Sequence, residues 1–413
     1  MNPHKHAVAA DTLFDGSSNH KHAAVLIEGD RIVWTGPRQA LDPSIPLHVL
    51  PKGFWIAPGF IDVQVNGGAD VLFNDDPSPA GIARIVAEHR RHGTTGLLPT
   101  LISDTHERMC AALEAVRRFP RGAGVLGIHF EGPFLSPFKA GIHDPDRFRL
   151  PSDDDLHLLT IHTELVKLVT LAPEQVPRRF IRDLVNAGLR VALGHSMATY
   201  AETNEVLGLG LTGFTHLFNA MRPLSARDPG PIAAALESQQ AWFGMIVDGL
   251  HVDPAMLRLA LRGRARPMLV TDAMPLVGSN RAEFFLFGRR IHASGEACFD
   301  DEGVLAGSVL TMSSAVRNCV KLLDVSLSEA VRYASTEPAA FLGLSDRLGR
   351  LAPGYRADMV AFQPDTVSVL GTWLSGIWQA SRLSLARARL ADQAERGEAG
   401  AKWQETEDGN GER

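Results

Sequence analysis

Cysteine is almost absent from these 413 residues, and Cys110, Cys298 and Cys319 lie far apart in no paired spacing. That pattern excludes a disulfide framework and a cysteine-ligated zinc ribbon, so any bound metal must be held by histidine and carboxylate. Long apolar runs are missing too. No stretch of about 18 uncharged apolar residues occurs, and the first ten residues carry His and Lys rather than an apolar core, which predicts a cytoplasmic chain without a membrane span. There is no Lys/Arg run. With 41 basic against 47 acidic residues, the net charge of -6 argues against a nucleic-acid or anionic-membrane partner, and any phosphate bound here requires local positive groups.

What is present is an ordinary globular composition, 45% hydrophobic and 21% charged. Between about residues 56 and 273 one pattern repeats: a short β-branched apolar run ends in polar or Gly residues, and a helical stretch follows. The runs fall at 56–65, 95–101, 125–130, 165–171, 190–193, 213–216, 242–247 and 267–270. Intervening segments such as 78–92, 105–119 and 175–187 have helical spacing. Eight such units predict a (β/α)8 TIM-like barrel in the α/β class, although alternation alone also permits a doubly wound open sheet.

Segments 7–50, about 280–300, and 359–362 read as short strands with turns. They predict a small β-sandwich domain built from both chain ends, covering 1–55 and 346–390, with 280–300 returning to it from a barrel spanning 56–345. Residues 310–341 read as helices outside the barrel. From 391 to 413 the chain turns polar and reads as a disordered tail.

Barrel enzymes carry their chemistry at the carboxyl ends of the strands. Here Gln64 and Asn66 follow the first run, Glu131 the third, His195 the fifth, His216 the sixth, Asp248 and His251 the seventh, and Asp272 the eighth. Two imidazoles and a carboxylate that leave a position open make a catalytic metal site, which Glu131, His195 and His216 satisfy; Asp272 is then the natural base for an activated water. Each also has a plainer reading. His129 is expected to be merely hydrogen-bonded, Glu131 could stabilise the Gly132-Pro133 turn, and Asp272 could cap a helix.

These residues carry a resemblance. Pro58-Gly59-Phe60-Ile61-Asp62, His129-Phe130-Glu131-Gly132-Pro133, Gly194-His195-Ser196, Thr215-His216-Leu217-Phe218-Asn219-Ala220-Met221, Asp248-Gly249-Leu250-His251 and Val270-Thr271-Asp272-Ala273, with Leu305-Ala306-Gly307-Ser308, span nearly the whole chain. Together they resemble the N-acetylglucosamine-6-phosphate deacetylases of the amidohydrolase superfamily. The resemblance implies a metal on Glu131, His195 and His216, Asp272 as acid/base, and His143 donating to the acetyl carbonyl. It implies substrate contacts from Ile142, His143, Asn219, Ala220, Asp248, His251, Leu305, Ala306 and Gly307. It further implies a homodimer in which Arg227 reaches the sugar phosphate of the neighbouring subunit; otherwise Arg227 would be a loop charge paired with Asp228.

Many superfamily members have His-x-His after the first strand and hold two metals. Gln64-Val65-Asn66 stands there instead, and neutral amides are poor transition-metal ligands. The expectation is therefore one divalent ion per subunit, Zn2+ first, with Fe2+, Co2+ or Mn2+ as alternatives, and an amino-sugar phosphate as substrate. The 6-phosphates of N-acetylglucosamine and N-acetylgalactosamine both fit this expectation, as does another amidohydrolase substrate; a non-catalytic binding barrel would be expected to have lost these residues.

Overall fold

The computed structural model describes residues 5–381, so the expected tail at 391–413 lies outside the described residues. Its centre is an eight-stranded parallel sheet whose strands we number β1 (Phe60–Val65), β2 (Thr94–Ile102), β3 (Gly127–Glu131), β4 (Val166–Leu171), β5 (Arg190–Leu193), β6 (Gly213–Phe214), β7 (Trp242–Met245) and β8 (Arg266–Leu269). Each pairs with the next in sequence. Past β8 the chain returns to β1: Asp272 N donates to Gln64 O at 3.1 Å, Asn66 N donates to Ala273 O at 2.9 Å, and Val65 bridges Ala273 in parallel. The sheet is thus a closed barrel and not an open doubly wound sheet.

Its strands are largely apolar because both faces are covered, one by the barrel interior and one by helices. Every residue of β1 and β2 is buried. Pro99 sits inside β2, where it cannot donate to the ladder. The register slips there, and the Thr100 hydroxyl accepts the Val65 N–H at 2.9 Å. The expected helices begin where their caps lie: Ser78 accepts from Gly81 N ahead of Pro79–Arg90, and Thr105 from Arg108 N ahead of His106–Arg118. Helices Met312–Leu323, Leu327–Ala334 and Thr336–Phe341 pack outside, the last two against β1 and β8.

The run at 56–65 divides. Trp55–Pro58 leaves the barrel and joins a sheet made from both chain ends, bracketed by Lys5–Phe14 on one side and Met359–Gln363 on the other. This sheet coils over its own apolar core, in which Val25, Ile27, Ile56, Met359 and Trp373 meet. Gly59 lies at the branch point, where a Cβ would fall 2.0 Å from the Thr95 hydroxyl, so the two sheets separate at a residue without a side chain.

The segment around 280–300 does not return to that sheet. Glu283–Leu286, Arg289–Ser294, Ala297–Asp300 and Leu305–Ser308 form a four-stranded antiparallel sheet of their own, tied to the barrel by the Ala273–Ser308 bridge. Its apolar face, with Phe284, Ile291 and Cys298, packs on Leu72, Ile102 and Met274 at the barrel mouth. Hydrophobic alternation identified strands here, but the partner is set by where that apolar face finds cover.

Candidate active site and metal centre

At the carboxyl ends of the barrel strands lies a cleft of about 270 Å3, and the strand-end residues converge on it. Glu131 is the last residue of β3, and His195 and His216 lie two residues past the ends of β5 and β6. Both histidines and Asp272 adopt left-handed backbone, with φ of 48°, 31° and 52°. That conformation costs a non-glycine residue on the order of 1 kcal/mol or more, so the surrounding hydrogen bonds must hold it. It turns the side chains off their strand ends into the cleft.

Glu131 Oε1 lies 3.2 Å from His195 Nε2 and 3.0 Å from His216 Nε2, and the two nitrogens are 3.1 Å apart. All three side chains are buried. His195 Nδ1 faces the Lys139 carbonyl at 2.8 Å, so that nitrogen is the donor and Nε2 presents a lone pair to the centre. A carboxylate oxygen and imidazole nitrogens facing one another at this range suit a shared cation. Two metal–nitrogen bonds of about 2.0–2.1 Å at a tetrahedral angle set their nitrogens about 3.3 Å apart. The donor set therefore fits a divalent ion, and oxygen with imidazole suits zinc and its first-row neighbours.

Electrostatics agree with this. Burial pushes the Glu131 carboxyl up, but its bonds to His195 and His216 outweigh that and hold it well below the usual carboxylate range. Burial opposes charge on His216 as well, yet Glu131 beside it raises its pKa. Asp272 is shifted the other way, upward, by burial and by the Glu131 charge. A carboxylate poised upward is suited to taking and returning a proton near neutrality.

Gln64 and Asn66 occupy the side of the site where the sequence lacks the His pair. Gln64 Nε2 donates to Glu131 Oε2 and to Asp272 Oδ1, each at 3.1 Å, and Asn66 Nδ2 donates to Asp272 Oδ1 at 2.7 Å. The amides thus bring N–H donors between two carboxylates, where a cation is the alternative neutraliser. Beneath them, Asp62 accepts from the Thr271 hydroxyl at 2.5 Å and closes β1 onto the segment carrying Asp272; burial lifts its pKa to about 7.

His143 lies buried beside His195, with ring centroids 4.4 Å apart, and burial with the neighbouring His195 pushes its pKa down to about 3, so it is neutral. His129 is a different case: its ring nitrogens face the Thr170 and Thr100 hydroxyls at 2.7 and 3.3 Å, a buried hydrogen-bonded histidine away from the cleft wall. His251, Asn219, Ala220, Ile142, Leu305 and Gly307 line the cleft.

Three expected substrate contacts stand elsewhere in this protomer. Asp248 lies behind His251, accepting from its Nδ1 at 2.5 Å and from the backbone of Leu250 and His251, so it orients that ring rather than reaching the cleft. Ala306 is fully buried between two lining neighbours, as alternation along a strand requires. Arg227 is exposed, away from this protomer's cleft, and has no ion pair or hydrogen bond among the described residues, while Asp228 is bound by Arg222 Nε at 2.6 Å. Asp228 is thus paired with Arg222 here and not with Arg227.

Sequence reasoning passed over Ile102, Phe138, Lys139, Met274 and Val304, which also line the cleft. Val304 precedes the Leu305-Ala306-Gly307-Ser308 motif and Met274 follows the Val270–Ala273 motif, so adjacency to a motif was the available signal; Phe138 and Lys139 lie in the single 3-10 turn Pro137–Lys139, too short to carry periodicity.

A family model described as "Amidohydrolase family" matches residues 55–379. The chain is 40% identical over 348 residues to an N-acetylgalactosamine-6-phosphate deacetylase of Shewanella sp. (strain ANA-3), covering 83% of this chain and 87% of that protein. It is 33% identical to an N-acetylglucosamine-6-phosphate deacetylase of Haemophilus influenzae, covering 86% and 94%. Among solved structures, the N-acetylglucosamine-6-phosphate deacetylase from Pasteurella multocida superposes with a TM-score of 0.87 at 32% identity, covering 91% of this chain and all of that one.

Proposed function

The chain belongs to the amidohydrolase family, and from that membership we propose that it hydrolyses N-acetyl-D-glucosamine 6-phosphate to D-glucosamine 6-phosphate and acetate. The observation that carries this reading is the meeting of Glu131, His195 and His216 within hydrogen-bond range, with Asp272 and His143 beside them on one cleft. A divalent ion held by those three, zinc by preference and one per subunit, supplies Lewis acidity and lowers the pKa of water toward neutrality. Gln64 and Asn66 support the single-ion reading, since their N–H groups already face the carboxylates.

The protein's own groups then divide the work. His143 donates to the acetyl carbonyl oxygen as negative charge develops there. Asp272 takes a proton from the attacking water, whose oxygen bonds to the acetyl carbon. Returned to the amine nitrogen, that proton lets the C–N bond break, and acetate and the free amino sugar leave. His251, held by Asp248, and the Asn219–Ala220 backbone face the sugar phosphate. Arg227 acts in a homodimer by reaching a partner's cleft, which its exposure and lack of a partner here support. Its fork of donors matches a phosphate dianion. The setting is cytoplasmic; among the described residues no helix is long and apolar enough to cross a membrane.

A second reading has its own support. The Shewanella relative, at 40% identity, is a deacetylase of the galactosamine epimer. Acetate release from the 6-phosphates of N-acetylglucosamine and N-acetylgalactosamine, and from both unphosphorylated sugars, with and without chelator, tests both. The expected result is chelator-sensitive release favouring a phosphorylated sugar. Equal rates without the phosphate, or none from any, would overturn the proposal.

A further inference from the structure

Of the strand ends around the cleft, that of β2 supplies none of the roles above. Its last residue, Ile102, is followed by Ser103, which is 1% exposed. Ser103 meets His143 with two atoms: its backbone N lies 3.3 Å from His143 Nδ1 and its Oγ 2.8 Å from the same nitrogen. A backbone N–H can only donate. Nδ1 must therefore present its lone pair, and the proton of the imidazole sits on Nε2. Nε2 itself has no partner among the described residues, and the ring lines the cleft.

The same hydroxyl also reaches the metal-binding strand. Ser103 Oγ lies 3.4 Å from the carbonyl oxygen of Glu131. The approach depends on the next residue, Gly132, where a Cβ would fall 2.2 Å from Ser103 Oγ. A side chain at 132 would displace the serine, so the glycine that follows β3 keeps room for this contact as well as adopting its φ of +89°. The single hydroxyl proton goes to Nδ1 in the tautomer that the backbone N–H sets, so the longer approach to the Glu131 carbonyl seats Ser103 against β3 as a packing contact and not as a second hydrogen bond.

We propose that Ser103 is a positioning residue for the deacetylation, fixing His143 in the tautomer and orientation whose Nε2–H faces the acetyl carbonyl. The inference rests on the deacetylase reading for its kinetic consequence but not for its geometry. Its chemistry is that of any second group that sets which ring nitrogen of a histidine carries the proton. The hydroxyl does not touch the reacting atoms; it acts through His143.

Ser103→Ala keeps the backbone N–H and removes the hydroxyl. Losing one buried hydrogen bond to the ring lowers kcat about tenfold, with KM changed less than twofold and metal content per subunit unchanged. Ser103→Thr, which retains the hydroxyl, recovers most of the rate. In a His143→Gln background, Ser103→Ala costs less than twofold more, because the two residues act as one unit. A serine that merely braced β2 would instead give the full loss in both backgrounds, or loss of metal, and either outcome overturns the proposal. Nitrogen-15 spectra of the His143 imidazole read the tautomer without turnover: an Nε2–H ring is expected, and an Nδ1–H ring overturns the assignment. If the wild-type protein releases no acetate from either sugar phosphate, the functional reading fails while the spectrum still decides the pairing.

Discussion

Replacing Asp272 by Asn separates proton transfer from everything else this residue does. Asp272 Oδ1 accepts from Asn66 Nδ2 and Gln64 Nε2, and an asparagine oxygen in the same place can accept both. What disappears is a group able to take and return a proton. General acid–base catalysis contributes about 10²–10⁴-fold, and Asp272 serves as base and then acid, so kcat should fall by about 10⁴, or about 5 kcal/mol of barrier. Stability moves the other way. Glu131 and Asp272 share the Gln64 Nε2 donor at 3.1 Å each, which places their oxygens within about 6 Å of one another. At an effective dielectric near 20, two charges at that range repel by roughly 2–3 kcal/mol, part of it already relieved by the upward-shifted pKa of Asp272. With chelator present, Asp272→Asn should therefore gain on the order of 1 kcal/mol, raising the thermal midpoint by a few degrees at most. Acetate release gives the first number and calorimetry of the chelated protein the second. Turnover within tenfold of wild type, or a destabilised chelated variant, would refute the reasoning.

Arg227→Ala should leave the thermal midpoint unchanged, since the residue is exposed and unpaired. It should raise KM for the phosphorylated sugar by about 10–100-fold while sparing any activity on the unphosphorylated one, because hydrogen bonds to charged groups are worth about 1.5–3 kcal/mol each; equal effects on both substrates would count against a phosphate contact. Metal binding needs His195 and His216 neutral. Glu131 raises the His216 pKa in the metal-free site above the ordinary imidazole value, so protons compete as pH falls and affinity drops on acidification. That same raised pKa stabilises the metal-free protein at acid pH and ceases to do so as pH climbs through it. The gap between thermal midpoints with and without chelator should narrow from pH 8 to 5, and a gap independent of pH would contradict the ligand assignment. Away from the site, the Asp155 carboxylate is fully buried against Arg149, His106 and the Ser152 N–H. Its bonds hold its pKa below the usual range against the opposing effect of burial, so its contribution is present above about pH 4 and lost on acidification. Asp155→Ala should cost about 3–5 kcal/mol in a urea titration with kcat at 25 °C unaltered, and a loss under 1 kcal/mol would show the pair to be unimportant.

The barrel and the convergence of Glu131, His195 and His216 could be read from the chain because each rests on local, repeated information. Burial on both faces makes each barrel strand rich in apolar residues, and the polar residues at or within three positions of its carboxyl end stand at the rim, so Glu131, His195, His216 and Asp272 mark strand ends in the sequence itself. Their joint placement needs only the rule that parallel strands share one carboxyl face. The same logic failed where cover, not periodicity, decides: strands at 283–308 read like those of the chain-end sheet, but their apolar face is satisfied by Leu72, Ile102 and Met274 at the barrel mouth. Likewise, no pattern distinguishes Trp55–Pro58 from Phe60–Val65, which one glycine sends into different sheets.

What the sequence determined by itself was therefore the set of chemical groups and their rim positions, since residue type and period are properties of the chain. Only the tertiary structure decided direction and distance. It turned His195, His216 and Asp272 inward through left-handed backbone, put Asp248 behind His251, left Arg227 outside its own cleft, and brought Ser103, forty residues away, onto the back of His143. Those relations join residues remote in sequence through the curvature of a closed barrel, and hydrogen bonds so specific in angle exist only once that closure fixes both partners.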